Sequence, residues 1–144
     1  MPISTEHVGR SYPATERYVV SRAKVRELAT ALGDDSEAFR GAAPIAPPTF
    51  AIVVAGHAWE QMFNDPDLGL ALERIVHGEQ GFEWTRPLRV GDEVTATLTI
   101  EKVRTRGPVD WIGSSATIST TDGEEVCRVS ATFVHSHAAE EEQR

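Results

Sequence analysis

His77 and Glu79 stand two residues apart in a stretch rich in strand formers. Two residues is the repeat at which strand side chains share a face, so this imidazole and carboxylate are the one acid/base pair the sequence offers for proton transfer. Asp34 follows Gly33 and has two readings, a site carboxylate or a turn former that bonds nearby backbone, with the turn preferred. His57 lies within an apolar run. It acts as a base only where it faces a cavity, and a core histidine satisfied by a carbonyl is the preferred reading. His135 and His137 have an alternate spacing that suits a metal, but no carboxylate or cysteine adjoins them in sequence. No metal and no cofactor are therefore expected. Cys127 stands alone on a strand-like segment and reads as a buried, inert thiol.

The elements that must carry these residues change in kind along the chain. Tyr18, Val19 and Val20 suggest a short strand, and Ser21 caps a helix with Val25, Leu28, Ala29 and Leu32 on one face and Gly33 at its end. Residues 34–48 are rich in turn formers and helix breakers. From Thr49 the pattern Phe50, Ile52, Val53, Val54, Ala55, Ala58, Trp59, Met62 and Phe63 predicts a helix apolar nearly all round, buried on most of its sides. Asn64, Asp65, Pro66 and Asp67 stop it, and 68–72 suggest a further helical turn. Segments 75–85, 93–103, 111–120 and 125–135 then alternate β-branched or aromatic residues with others, separated by turn signals such as Asp122-Gly123. Helices followed by an antiparallel run indicate an α+β fold, a long antiparallel sheet wrapped around the apolar helix.

The chain has 144 residues, with 22 acidic side chains against 14 Lys and Arg, a formal charge of −8. That balance excludes a polyphosphate partner such as nucleic acid and disfavours an anionic membrane surface. One cysteine forms no intrachain disulfide, and the longest apolar run, 50–55, is too short to span a bilayer. The expectation is a single cytoplasmic domain over 1–137 with an acidic, flexible tail at 138–144.

The segment His77-Gly78-Glu79-Gln80-Gly81-Phe82-Glu83-Trp84-Thr85-Arg86-Pro87-Leu88-Arg89-Val90-Gly91-Asp92-Glu93-Val94 resembles the strand and turn of MaoC-like hydratases and dehydratases, with Phe, then Arg-Pro, then Gly-Asp and an apolar strand. With Gly33-Asp34 and Pro44-Ile45-Ala46, the resemblance covers residues 8–134. The elements Ala46-Pro47-Pro48-Thr49-Phe50 and His77-Gly78-Glu79-Gln80 are most similar to the non-catalytic subunits of actinobacterial (3R)-hydroxyacyl-ACP dehydratases. The resemblance implies a hot-dog fold. It also implies an acyl thioester of coenzyme A or acyl carrier protein as substrate, and a tunnel completed by a second hot dog.

Hydration of a trans-2-enoyl thioester needs a base, an acid and donors to the developing enolate oxygen. By resemblance, Asp34 matches the family's catalytic Asp, but Phe39 stands where the family has its His. Pro47 replaces a second His, and Pro48 replaces the Gly whose N–H faces the thioester oxygen, which proline lacks. The implied role is a subunit that binds the acyl chain through Phe39, Pro48, Thr49, Phe50, His57, Trp59 and His77, while a MaoC-like partner supplies the catalytic groups. A homodimer that binds acyl thioesters without chemistry is the alternative. A thioesterase using Asp34, His77 or Glu79 to activate water ranks last.

Overall fold

The computed structural model describes residues 2–137, so the expected tail at 138–144 lies outside the described residues. Two α-helices precede most of a five-stranded antiparallel sheet: β1 (Tyr18–Val19), α1 (Arg22–Ala31), α2 (Ala51–Phe63), β2 (Ile75–Trp84), β3 (Glu93–Arg106), β4 (Val109–Thr120) and β5 (Glu125–Ser136). The sheet order is β1-β3-β4-β5-β2, and it curls around α2. This is the expected hot-dog arrangement.

The inner face of the sheet is apolar because its strands alternate. Val94, Ala96, Leu98 and Ile100 of β3 lie beside Ile112, Ala116 and Ile118 of β4 and Cys127, Val129, Ala131 and Phe133 of β5. Against them pack Ala51, Val54, Ala55, Ala58, Trp59 and Met62 of α2. Helix α2 is buried on most of its sides, as expected, with Ile52, Val53 and Phe63 partly buried against the core; only His57 and Glu60 along it are exposed. The expected turn at 68–72 is instead a pair of 3₁₀ turns, Pro66–Leu68 and Leu72–Arg74, on either side of it.

The two sheet edges are treated differently. Along β3, residues 9–15 add backbone hydrogen bonds: Gly9 N–H to the Ile100 carbonyl, Tyr12 N–H to that of Leu98 and Thr15 N–H to that of Ala96. Arg10 and Tyr12 also donate to Asp65 Oδ2 at 2.8 and 2.7 Å, which ties this segment to the end of α2. The outer edge of β2 has no strand beside it among the described residues.

Candidate functional site

The loop that resembles the catalytic turn is built by the end of α1. Gly33 takes a left-handed φ of 69°, its N–H donates to the Thr30 carbonyl, and Asp34 N–H donates to that of Ala29. These two bonds are the paired closure that stops a helix at glycine. Asp34 Oδ1 then accepts from Ser36 N–H at 3.0 Å, and Ser36 Oγ accepts from Ala38 N–H at 3.3 Å, starting the 3₁₀ turn Glu37–Phe39. The Asp34 carboxylate is exposed and closes its own turn, while Phe39, 9% exposed, enters the core. The two side chains are therefore on opposite sides of the loop.

The next segment leads into α2. Ala46 N–H donates to the Leu88 carbonyl at 2.7 Å and Val90 N–H to that of Pro44, which docks the proline-rich stretch on the turn before β3. Pro47 is buried, Pro48 and Thr49 are exposed in the 3₁₀ turn Pro48–Phe50, and Phe50 is buried against the edge of the Tyr18 ring. No side chain caps the start of α2. His57, expected in the core, is exposed and lies 6.0 Å from Tyr18 between ring centres. It lies on the open side of α2, together with Glu60.

Trp59 and His77 come together at the other end of α2. Their rings meet edge to face at 5.5 Å, and both contact Phe133. His77 Nε2 is 2.9 Å from Gln80 Oε1, and the buried Trp59 indole N–H has no partner among the described residues. The expected His77–Glu79 pair is overturned. A bulge at Gly78 shifts the register, so His77 pairs with the inward Phe133 and Glu79 with the outward Thr132. Glu79 turns to Thr132 Oγ1 across the outer face. An extra residue in a strand reverses the faces that follow it, so the acid and the base are separated by the sheet. The seven expected acyl-contacting residues accordingly fall into the buried Phe39 of the loop after α1, Pro48, Thr49 and Phe50 at the start of α2, the exposed His57, and the Trp59–His77 pair.

Sequence distance hid one cluster. The β4–β5 register sets Asp110 opposite His135, and Asp110 Oδ2 lies 3.3 Å from His135 Nδ1 and 2.7 Å from His137 Nε2. Thr105 Oγ1 donates to Asp110 Oδ1 at 2.6 Å. The carboxylate missing beside the histidines in sequence is thus supplied by the fold, and the three side chains converge closely enough for a metal. The hydrogen bonds oppose one. Ala71 N–H donates to His135 Nε2, so the neutral ring carries its proton on Nδ1, the atom that faces Asp110. A metal-bound imidazole instead donates from its far nitrogen. Burial pushes the Asp110 carboxyl up, but its bonds from Thr105, His137 and His135 hold it below the ordinary carboxylate value.

The Arg-Pro…Gly-Asp motif serves the fold. Arg86 clasps Asp92 with two nitrogens at 2.8 and 3.2 Å and Glu124 with Nε at 2.8 Å, while Arg89 N–H donates to Asp92 Oδ2. Burial raises the Asp92 carboxyl, but Arg86 and the Arg89 amide outweigh it and hold it below its ordinary value. Burial pushes the Cys127 thiol up to about 11, which leaves it protonated and unreactive as expected.

Comparison with known proteins supplies the wider setting. The model of the FAS1-like dehydratase domain region matches residues 6–129. A UPF0336 protein of Cutibacterium acnes is 53% identical over 136 residues, covering 94% of this chain and 96% of the relative. The C-terminally truncated HadBC (3R-hydroxyacyl-ACP dehydratase) complex of Mycobacterium tuberculosis superposes with a TM-score of 0.79 at 26% identity, over 92% of this chain and 99% of that one. A MaoC-like dehydratase gives 0.82 at 28% identity over 92% of this chain and 43% of that longer one.

Proposed function

The chain belongs to the FAS1-like dehydratase domain family, and from that premise we propose that it is the substrate-holding subunit of a cytoplasmic (3R)-hydroxyacyl thioester dehydratase in fatty-acid metabolism. The observation that carries this reading is the loop after α1. Phe39, where the family has its His by resemblance, is a core residue without a transferable proton, and Asp34 spends its carboxylate on its own turn. Pro47 and Pro48 remove a second imidazole and a backbone donor at the entrance to α2. Loss of one oxyanion donor alone costs about 3 kcal/mol of transition-state stabilisation.

A MaoC-like partner then supplies the base, the acid and the oxyanion N–H. The similarity to HadBC, named as a complex, supports a second subunit, and the uncovered edge of β2 supplies unpaired backbone groups for one. In this reading the acyl chain lies against the exposed His77 ring, which packs on Trp59 and Phe133, and that aromatic cluster orients it and excludes water.

The test is trans-2-enoyl thioester hydration by the purified chain, alone and after co-expression with a MaoC-like subunit of the same organism. Turnover only in the mixture is expected. Substantial turnover by the pure chain contradicts the proposal, and thiol release in place of hydration would make the protein a thioesterase.

A further inference from the structure

The outer face of the sheet, turned away from α2, has a cationic side and an acidic side. A second bulge, at Glu101, shifts the register of β3, so that Lys102, Arg104 and Arg106 follow one another on the outer face while Val103 turns inward. Strand pairing then lays two rows across four strands. One row runs Lys102, Gly113, Thr132 and Glu79, and the next runs Arg104, Trp111, Val134 and Val76. Three strand spacings hold Lys102 about 14 Å from Glu79, too far to pair within one molecule. Between them lies an open groove of about 530 Å³ whose floor includes Gly78 and Gly113.

Among the described residues, neither side of this face is neutralised within one molecule. Lys102, Arg104 and Arg106 have no ion-pair partner there, Glu101 is occupied by Arg128 and by the Ser115 hydroxyl, and Glu79 accepts a 3.4 Å bond from Thr132 Oγ1. Three like charges in a row repel one another. The second row is apolar beyond its arginine: Trp111 is 36% exposed, and Val76 at the far end is 65% exposed. An exposed indole and exposed arginines beside an apolar strip are the residue types that anchor protein interfaces.

The layout of the face selects its occupant. When two copies are placed back to back about a two-fold axis parallel to the strands, passing between β4 and β5, the β3 side of one copy meets the β2 side of the other. Each contact then occurs twice, as an isologous interface requires. Lys102 of each copy opposes Glu79 of the other, Arg104 lies over Val76, and Trp111 lies over Val134, beside a groove with room for its ring. Two chains of net charge −8 repel one another, and the face where three cations gather is where they can approach. Four strands of ten residues or more present a flat footprint of roughly 600 Å², against about 800 Å² per partner in a stable complex. The curl of the sheet reduces the contact further, so the association is weak and depends on concentration. We propose that two copies of this chain associate back to back through the outer faces of β2 to β5, with Lys102 of each against Glu79 of the other. The edge of β2 stays open to a catalytic partner, and the proposal does not depend on the dehydratase reading above.

Sedimentation velocity of the full chain over a range of concentrations tests this. The smallest species, whether a single chain or a pair joined at β2, is expected to double in mass as concentration rises. Lys102→Glu and Glu79→Lys each bring like charges together at both copies of the contact and should weaken the doubling about tenfold or more. The Lys102→Glu/Glu79→Lys variant restores opposite charges with the sides exchanged, and its doubling should recover to within about threefold of the wild type. Arg26→Glu, on the exposed side of α1, alters the net charge as much as Lys102→Glu does and should leave the doubling unchanged. All variants should keep the wild-type circular dichroism spectrum, since the substituted side chains are exposed. Absence of doubling in the wild type overturns the proposal. So does doubling that survives Lys102→Glu, which would assign the association to another surface such as the β2 edge. A double variant that stays as weak as either single one overturns it as well, because Lys102 and Glu79 then do not meet.

Discussion

Replacing Arg86 by Met keeps the aliphatic stem and removes the charge that Asp92 and Glu124 share. Arg86 and Asp92 are 18% and 17% exposed and meet through two nitrogens. Truncating one partner of a buried pair costs about 3–5 kcal/mol, and an exposed pair contributes about 0.2–1 kcal/mol. This pair lies between those limits, so the expected loss is about 2 kcal/mol, or about 6 °C in melting temperature for a domain of this size. The pH dependence gives the sharper check. In the wild type the Asp92 carboxyl lies below the ordinary value of 3.8, so its contribution is complete above that pH and is lost as pH falls through the lower, folded value. Without Arg86, burial raises the same carboxyl, and acidification relieves the variant. The gap between wild type and Arg86→Met, followed by circular dichroism, should therefore narrow from pH 7 towards pH 3. A gap of less than about 2 °C at pH 7, or one that does not change with pH, refutes the reasoning. The Arg86→Met/Asp92→Asn double variant should be more stable than the two single losses sum to, because no unpaired carboxylate remains.

Phe39→Ala should cost about 3 kcal/mol in denaturant unfolding, the typical loss for a core phenylalanine. Phe39→His should give the isolated chain no hydration activity, since Asp34 remains committed to its turn. Cys127, with its thiol pushed up to about 11 and buried, should react with a disulfide reagent only as fast as the protein unfolds; rapid reaction in the folded state would mean an open path to β5. Nitrogen NMR should find the neutral His135 ring protonated at Nδ1, and added zinc should leave the melting temperature unchanged. A rise with zinc would show that the Ala71 bond to His135 yields to a metal.

Local chemistry made much of this fold legible. Ser21 caps α1 by accepting from Lys24 N–H, Gly33 ends it, and the four long strands begin within two residues of where β-branched alternation places them. The losses came where an extra residue reset the alternation. Gly78 carried a signal, since an isolated glycine in a strand often marks a bulge, and heeding it would have separated His77 from Glu79. Glu101 carried none, so the outward row of Lys102, Arg104 and Arg106 emerged only from the register. Asp110 joins His135 and His137 through strand pairing across 25 and 27 residues, a relation that local spacing does not encode. His57 was misread because its helix is apolar in composition while its polar residues gather on the open side.

The central claim is that the proton chemistry resides in the partner and not in this chain, and Asp34→Asn in the co-expressed complex tests it most directly. With wild-type complex as reference, the kcat for trans-2-enoyl thioester hydration should stay within about twofold, whereas loss of a working general acid or base lowers the rate about 100-fold or more. A kcat that holds supports a turn-forming role for Asp34. A fall of about 100-fold with the complex intact would place Asp34 in the reaction and contradict the account.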